Sequence, residues 1–230
     1  MHEMTYWVGV DTPDASPEQL AEFNEFYSTV HVPEVMANNP GFTSGNRYEL
    51  TAPDPRGDFG PRWLARYTMD ADSAERYVRE NTTPGYVMPY TPFPAGIRMA
   101  LRWRLLWSVI STAGQPSTST SDRIHLIGMD PASGSTDEEV AEFNRFYDSI
   151  HVHEALRGLA ATYVTRYELA RSFTTEGSTP PRFAAVYEFD PSLPTPEPLV
   201  GPPTDGPVAW EQRNTQWRLG YTRIPQPSAA

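Results

Sequence analysis

The groups able to move protons in this chain are its histidines and a repeated set of tyrosines. Of five histidines, four draw attention: His31 closes the run AEFNEFYSTVH, His151 closes AEFNRFYDSIH, His153 follows two residues later, and His125 stands in HLIGMD. An imidazole titrating near neutrality beside a phenol forms a workable acid–base pair. The expected chemistry is therefore proton transfer by His151 and His125, with Tyr147 and Tyr187 positioning a substrate. Asn144, His153, Glu154, Phe183, Tyr167 and Trp217 are the expected substrate contacts, Asn144 being placed to orient a carbonyl. The first half offers an equivalent set as a second choice: His31, Tyr27, Asn24, Tyr6, Trp63 and Tyr67. A plainer reading stands beside this one. His31 and His151 also suit the end of a helix, where a cation meets the negative end of the dipole, and Phe23, Phe26, Phe143 and Phe146 suit a core. The grouping of three histidines in the second half favours that half for chemistry.

What is missing narrows the chemistry further. The chain has no cysteine, and all 18 of its basic residues are arginine. Thiolate nucleophiles, disulfides, iron–sulfur clusters and lysine Schiff bases are excluded. A net charge of −11 without a basic run argues against nucleic acid or an anionic membrane as partner. The N-terminus lacks the regions of a signal peptide and no apolar run reaches membrane-spanning length, so a cytoplasmic location is expected. No phosphate-cradling glycine motif is present, and the spacing of His125, His151, His153 and Glu154 fits no familiar metal motif. No cofactor and no metal are expected.

The elements that must position these groups occur twice. Phe23, Asn24, Phe26, Tyr27, His31, Glu34, Arg47 and Tyr48 return in order as Phe143, Asn144, Phe146, Tyr147, His151, Glu154, Arg166 and Tyr167. YWVGVD pairs with HLIGMD, PRWLARYTMD with PRFAAVYEFD, and WRLLW with WRLGY. A repeat this long means whole domains, expected at 1–112 and 123–230 with a linker at 113–122. Ser16, Pro17 and Gln19 start a helix by a capping box; it runs to about His31, and Pro33 closes it. Alternation along RWLARYTM puts Trp63, Ala65 and Tyr67 on one face and Leu64, Arg66 and Thr68 on the other. Arg47 and Tyr48 likewise point to opposite faces. Arg66, Arg102 and Arg104 read as surface or interstrand charges. The aromatic, proline-rich stretch from 82 to 96 reads as a lid or pocket wall, and the second copy's second helix is eroded by prolines, with a short helix surviving at 207–214.

The resulting order, β-α-β-β-α-β in each half, is ferredoxin-like. The expected class is α+β: two tandem ferredoxin-like domains packed sheet to sheet as an intramolecular dimeric α/β barrel. FY-x3-HVPE, PGF and RYEL resemble the EthD-like group of dimeric α/β-barrel proteins, and HLIGMD is similar to the first strand of plant polyketide cyclases of the same superfamily. That resemblance implies a pocket between each sheet and its helices. With the His/Tyr set it suggests a cofactor-independent enzyme of antibiotic or other secondary metabolism that cyclises, condenses or dehydrates an aromatic or polyketide-like small molecule by acid–base catalysis. The alternatives are a cofactor-free monooxygenase acting on a phenol, a haem- or metal-dependent barrel enzyme, and a non-catalytic carrier of a hydrophobic ligand. A further homodimer is compatible with the sequence.

Overall fold

The computed structural model describes residues 3–116, 121–174, 179–189 and 204–225. The chain is α+β, and its strands are β1 (Glu3–Asp11), β2 (Phe42–Ala52), β3 (Trp63–Asp70), β4 (Ala100–Gly114), β5 (Arg123–Asp130), β6 (Ala161–Ser172), β7 (Phe183–Phe189) and β8 (Asn214–Arg223). They form one closed barrel in the order β1-β3-β2-β8-β5-β7-β6-β4. Each half thus contributes four adjacent strands, and the halves join edge to edge through the ladders β2–β8 and β4–β6. This corrects the expectation of two sheets stacked face to face: the aromatic inner faces are covered by closing the barrel around them.

Helix α1 (Pro17–Phe26) begins as its residues dictate. The Ser16 hydroxyl accepts from Gln19 N, and the Gln19 side chain accepts from Ser16 N at 2.9 Å. Thr136 and Glu139 do the same for α4 (Asp137–Phe146). Neither helix stops at its histidine. A π turn follows each, Tyr27–His31 and Tyr147–His151, and leads straight into α2 (Val32–Asn38) and α5 (Val152–Leu159). Pro33 does not end the first of these. The wider turn shifts the ladder by one residue, so that Val32 N bonds Tyr27 O, and a proline without an N–H fits the next position.

Helix α3 (Ala71–Thr82) covers the first half, with Asp70 capping Ser73 N at 2.7 Å. Its counterpart, α6 (Val208–Glu211), is a single turn, shorter than the expected 207–214. The proline-rich stretch before it, residues 190–203, lies outside the described residues, as do 117–120 of the expected linker. Among the described residues no helix is long and apolar enough to cross a membrane.

Three cores result. The barrel interior holds Trp7, Tyr48, Leu64, Trp103, Trp107, Tyr167, Trp217 and Tyr221, while a separate core lies between the outer sheet face and the helices of each half. Gly9 and Gly128, the glycines of the paired YWVGVD and HLIGMD segments, have no room for a Cβ: it would fall on Pro61 in one case and on Trp217 and Pro181 in the other. Close strand approach at these bends requires them.

Candidate functional site

A buried arginine anchors each π turn to the sheet. Arg166 of β6 is 1% exposed and donates to Asn144 Oδ1 and Asp148 Oδ1, both at 2.7 Å, with its guanidinium 4.0 Å from the centre of the Tyr147 ring. Arg47 of β2 does the same work with Asn24 Oδ1 at 2.7 Å, Ser28 Oγ at 2.8 Å and the Tyr27 ring at 4.3 Å. Among the described residues Arg47 has no carboxylate partner; burial lowers its pKa to about 10. Asn144 and Asn24 therefore accept from the arginines through Oδ1, which fixes the orientation of each amide.

The second-half cleft gathers His151, Tyr147, Tyr187, Phe183 and Glu154 around a residue the sequence reading did not single out, Trp210. Its ring lies 4.2 Å from that of His151 and 5.5 Å from that of Tyr147, between centroids, with Arg213 on it at 3.6 Å. Tyr147 and Tyr187 share a hydroxyl hydrogen bond of 2.9 Å, and Phe183 packs on Phe143. His151 Nδ1 lies 3.3 Å from Thr204 Oγ1, whose hydroxyl donates to Glu154 Oε2 at 2.6 Å. Because the Thr204 proton points to the carboxylate, its oxygen accepts from Nδ1–H, leaving the lone pair of His151 on Nε2.

The remaining candidates lie elsewhere. Tyr167 and Trp217 face the barrel interior, on the opposite side of the sheet from His151, because Tyr167 follows the outward-facing Arg166 and strand side chains alternate. His153 is exposed on α5, pointing away from the cleft. His125 is 3% exposed on the outer face of β5, opposite Tyr187 in register, but its charged neighbours are Arg218 and Asp54, whereas those of His151 are Arg213, Glu154 and Arg166. Tyr187, opposite His125, and Tyr147, against His151, stand between the two imidazoles and share a hydroxyl hydrogen bond. The suspected metal ligands do not converge: among the described residues no three His, Asp or Glu side chains group around a common point.

In the first half His31 sits against Tyr27, Tyr90 and Phe93, with centroids 4.8, 5.2 and 4.8 Å away, so the 82–96 stretch does form the cleft wall. Glu34 accepts from Thr91 N as Glu154 accepts from Thr204, yet His31 Nδ1 is buried without a partner. Tyr6 accepts from Arg104 Nε at 2.8 Å, Trp63 donates to Thr12 Oγ1 at 3.1 Å, and the buried Tyr67 hydroxyl faces that of Tyr27 without a hydrogen bond of normal geometry among the described residues.

Electrostatics oppose the expected acid–base pair. Burial, aided by Arg213, lowers the His151 pKa to about 4, and burial, aided by Arg218, does the same for His125. The Leu219 main chain favours charged His125 weakly without making a hydrogen bond of normal geometry to it. Burial also raises the Tyr147 pKa and holds that of Tyr187 well above the usual value. At neutral pH both imidazoles are uncharged and both phenols protonated, whereas an efficient proton-transfer group titrates near the working pH.

A second hollow opens at one end of the barrel interior. It holds about 400 Å³ and is lined by residues including Tyr48, Arg66, Thr165, Tyr167 and Glu188. Arg66, read from sequence as a surface or interstrand charge, stands in this hollow and donates from Nη2 to Tyr167 OH at 2.9 Å. Arg102, by contrast, bridges Asp11 and Asp58 as an ordinary charge of that kind.

No family model matches the chain, and a search of curated proteins finds no relative. Solved structures do resemble it. A provisionally assigned chlorite dismutase shares 10% identity over 98% of this chain and 96% of its own, with a TM-score of 0.52. A point variant of chlorite dismutase from Candidatus Nitrospira defluvii shares 11% identity over 81% of this chain and 76% of its own, with a TM-score of 0.41, too low to weigh. At such identities the likeness establishes the fold alone: a ferredoxin-like α/β barrel. These relatives are chlorite dismutases and not polyketide cyclases or EthD-like proteins. That finding, with His125 and His151 both uncharged at neutral pH, overturns the expected cofactor-independent ring-closing enzyme of antibiotic biosynthesis.

Proposed function

We propose that the protein is a haem-binding barrel protein in which His151 is the iron ligand, and that as an enzyme it is an oxidoreductase of the chlorite dismutase kind. One observation carries this reading: the hydrogen-bonded series His151 Nδ1, Thr204 Oγ1, Glu154 Oε2. Metal-binding imidazoles are commonly held this way, with the far nitrogen tied toward a carboxylate so that the near one presents its lone pair. A pKa of about 4 keeps that lone pair unprotonated at neutral pH.

The donor chemistry fits, and Trp210 of α6 covers the His151 ring, so haem would have to displace it from its bond to Thr204 O. When bound, haem supplies redox chemistry at its iron. The chain's own part is to orient His151 through Thr204 and Glu154, to seal the cleft with Trp210, and to brace the π turn with Arg166. The same reading treats 1–112 and 123–230 as tandem ferredoxin-like units, of which only the second holds its histidine in this arrangement.

Titration of the purified protein with haemin tests the proposal. A saturable, shifted Soret band is expected, lost in His151→Ala, retained in His31→Ala and gained at lower haemin concentration in Trp210→Ala. A titration indistinguishable from free haemin, or one abolished by His31→Ala instead, refutes it.

A further inference from the structure

The hollow in the barrel end is separated from the His151 cleft by the sheet itself, and the proposal above leaves it unused. Its walls come from six strands of both halves: Thr5, Asn46 and Tyr48, Arg66 and Thr68, Thr112, Tyr163 with Thr165 and Tyr167, and Glu188. Three facts distinguish it from a surface dimple.

The first is an imbalance of donors. Arg66 Nε is buried without an acceptor, and Arg66 makes no ion pair among the described residues; Glu188, which also lines the hollow, lies beyond salt-bridge distance. The guanidinium lies 5.8 Å from the ring centres of both Trp7 and Tyr48. Behind it, Trp7 and Trp107 are fully buried with indole N–H groups that also lack acceptors. Burial alone would lower the pKa of Arg66, but Tyr167, Tyr48 and Glu188 more than offset this, so the cation is firmly charged. Arg66 as a whole is half-buried at the hollow, but a buried Nε–H without an acceptor is costly unless a ligand or water completes its hydrogen bonds.

The second fact is asymmetry. The segment PRWLARYTMD corresponds to PRFAAVYEFD, so Arg66 falls where the other copy has Val186 and Thr68 where it has Glu188. The exchange puts a cation in the first copy where the second has an aliphatic side chain, and a hydroxyl where the second has a carboxylate. The third is shape. Tyr48 and Tyr167, equivalent residues of the two halves, both line the hollow with Arg66, so two aromatic rings stand beside a planar donor fork.

We propose that this barrel-end hollow binds a small aromatic carboxylate, with its carboxylate on Arg66 and its ring against Tyr48 and Tyr167. The acceptor oxygens complete the donor set of Arg66, and the ring replaces water over the two tyrosines. Glu3 and Glu188 at the lining disfavour more highly charged anions such as phosphate.

Benzoate is the probe, with benzamide as its uncharged counterpart and inorganic phosphate as the competing anion, all read by calorimetry on the full chain. Saturable benzoate binding at one site is expected, with benzamide about 10-fold weaker or worse, since a charge-assisted hydrogen bond is at stake. Arg66→Gln should reduce benzoate affinity by about 10-fold or more while leaving benzamide binding unchanged. Ser44→Trp, which narrows the mouth without touching the cation, should weaken both, and this variant keeps the test intact if Arg66→Gln does not fold. Equal binding of benzoate and benzamide, tighter binding of phosphate, or no benzoate binding by the unaltered chain overturns the proposal. None of these results depends on haem, so the two proposals succeed or fail separately.

Discussion

His125 gives the sharpest quantitative test of the electrostatics. It is 3% exposed and its pKa falls from 6.5 to about 4 in the folded chain. In the unfolded chain the imidazole takes up its proton as pH drops past 6.5; in the folded chain it does so only near 4. Between those values the unfolded state binds more protons, so stability falls as pH falls through that window and levels off below it. Linkage puts the loss from this one group at about 2 kcal/mol at pH 5 and about 3 kcal/mol at pH 4. That is a large part of the ~5–15 kcal/mol that holds a typical domain together. The assay is urea unfolding followed by tryptophan fluorescence at pH 7.5 and pH 5, on the natural chain and on His125→Leu. The variant should lose about 2 kcal/mol less between the two pH values, whatever its stability at pH 7.5. If both lose the same amount, His125 is already charged or solvated in the folded chain, and the argument from its burial is wrong.

Three further outcomes follow from the packing. Arg166→Met and Arg47→Met should each cost about 1–3 kcal/mol, because each strands the asparagine that accepted from the arginine, while Asp148 is 38% exposed and keeps its bond from Ser111; thermal unfolding of both variants tests this, and a much larger loss for Arg166→Met refutes it. Tyr187→Phe should lower stability by about 1 kcal/mol through the lost bond to Tyr147, read by urea midpoint. Gly41→Ala should be more damaging than Gly134→Ala although both glycines have positive φ, since a Cβ at 41 falls on Ser73 Oγ and one at 134 meets nothing; comparison of their melting temperatures decides it.

Local rules of sequence carried the fold a long way. Ser16 and Gln19 announce a capping box by type and spacing alone, and alternation in RWLARYTM correctly sends Trp63 outward to the helices and Leu64 into the barrel. The π turns were not legible, because residues at helical spacing look the same whether one carbonyl bonds four or five residues ahead. Tyr167 and Trp217 were placed in the wrong compartment although alternation from Arg166 already sent Tyr167 inward. Trp210 was invisible as a site residue because its position depends on where α6 lands, a long-range outcome. For Arg66 a signal did exist: a charge opposite Val186 in the matching segment is an exception worth following. The lowered pKa values of His31, His125 and His151 could not be foreseen, since burial, and not residue type, sets their titration.

Closing the barrel has a consequence for assembly. A lone four-stranded sheet leaves β2 and β4 with unmatched backbone donors and acceptors, a template for any passing strand. Here β8 pairs with the first and β6 with the second, so among the described residues the strands close on one another and leave no free edge strand. Higher assemblies of this chain must then form through helices and loops, not by strand addition. Severed between β4 and β5, the chain would become two fragments with four raw edges between them, each the best available mate for the other.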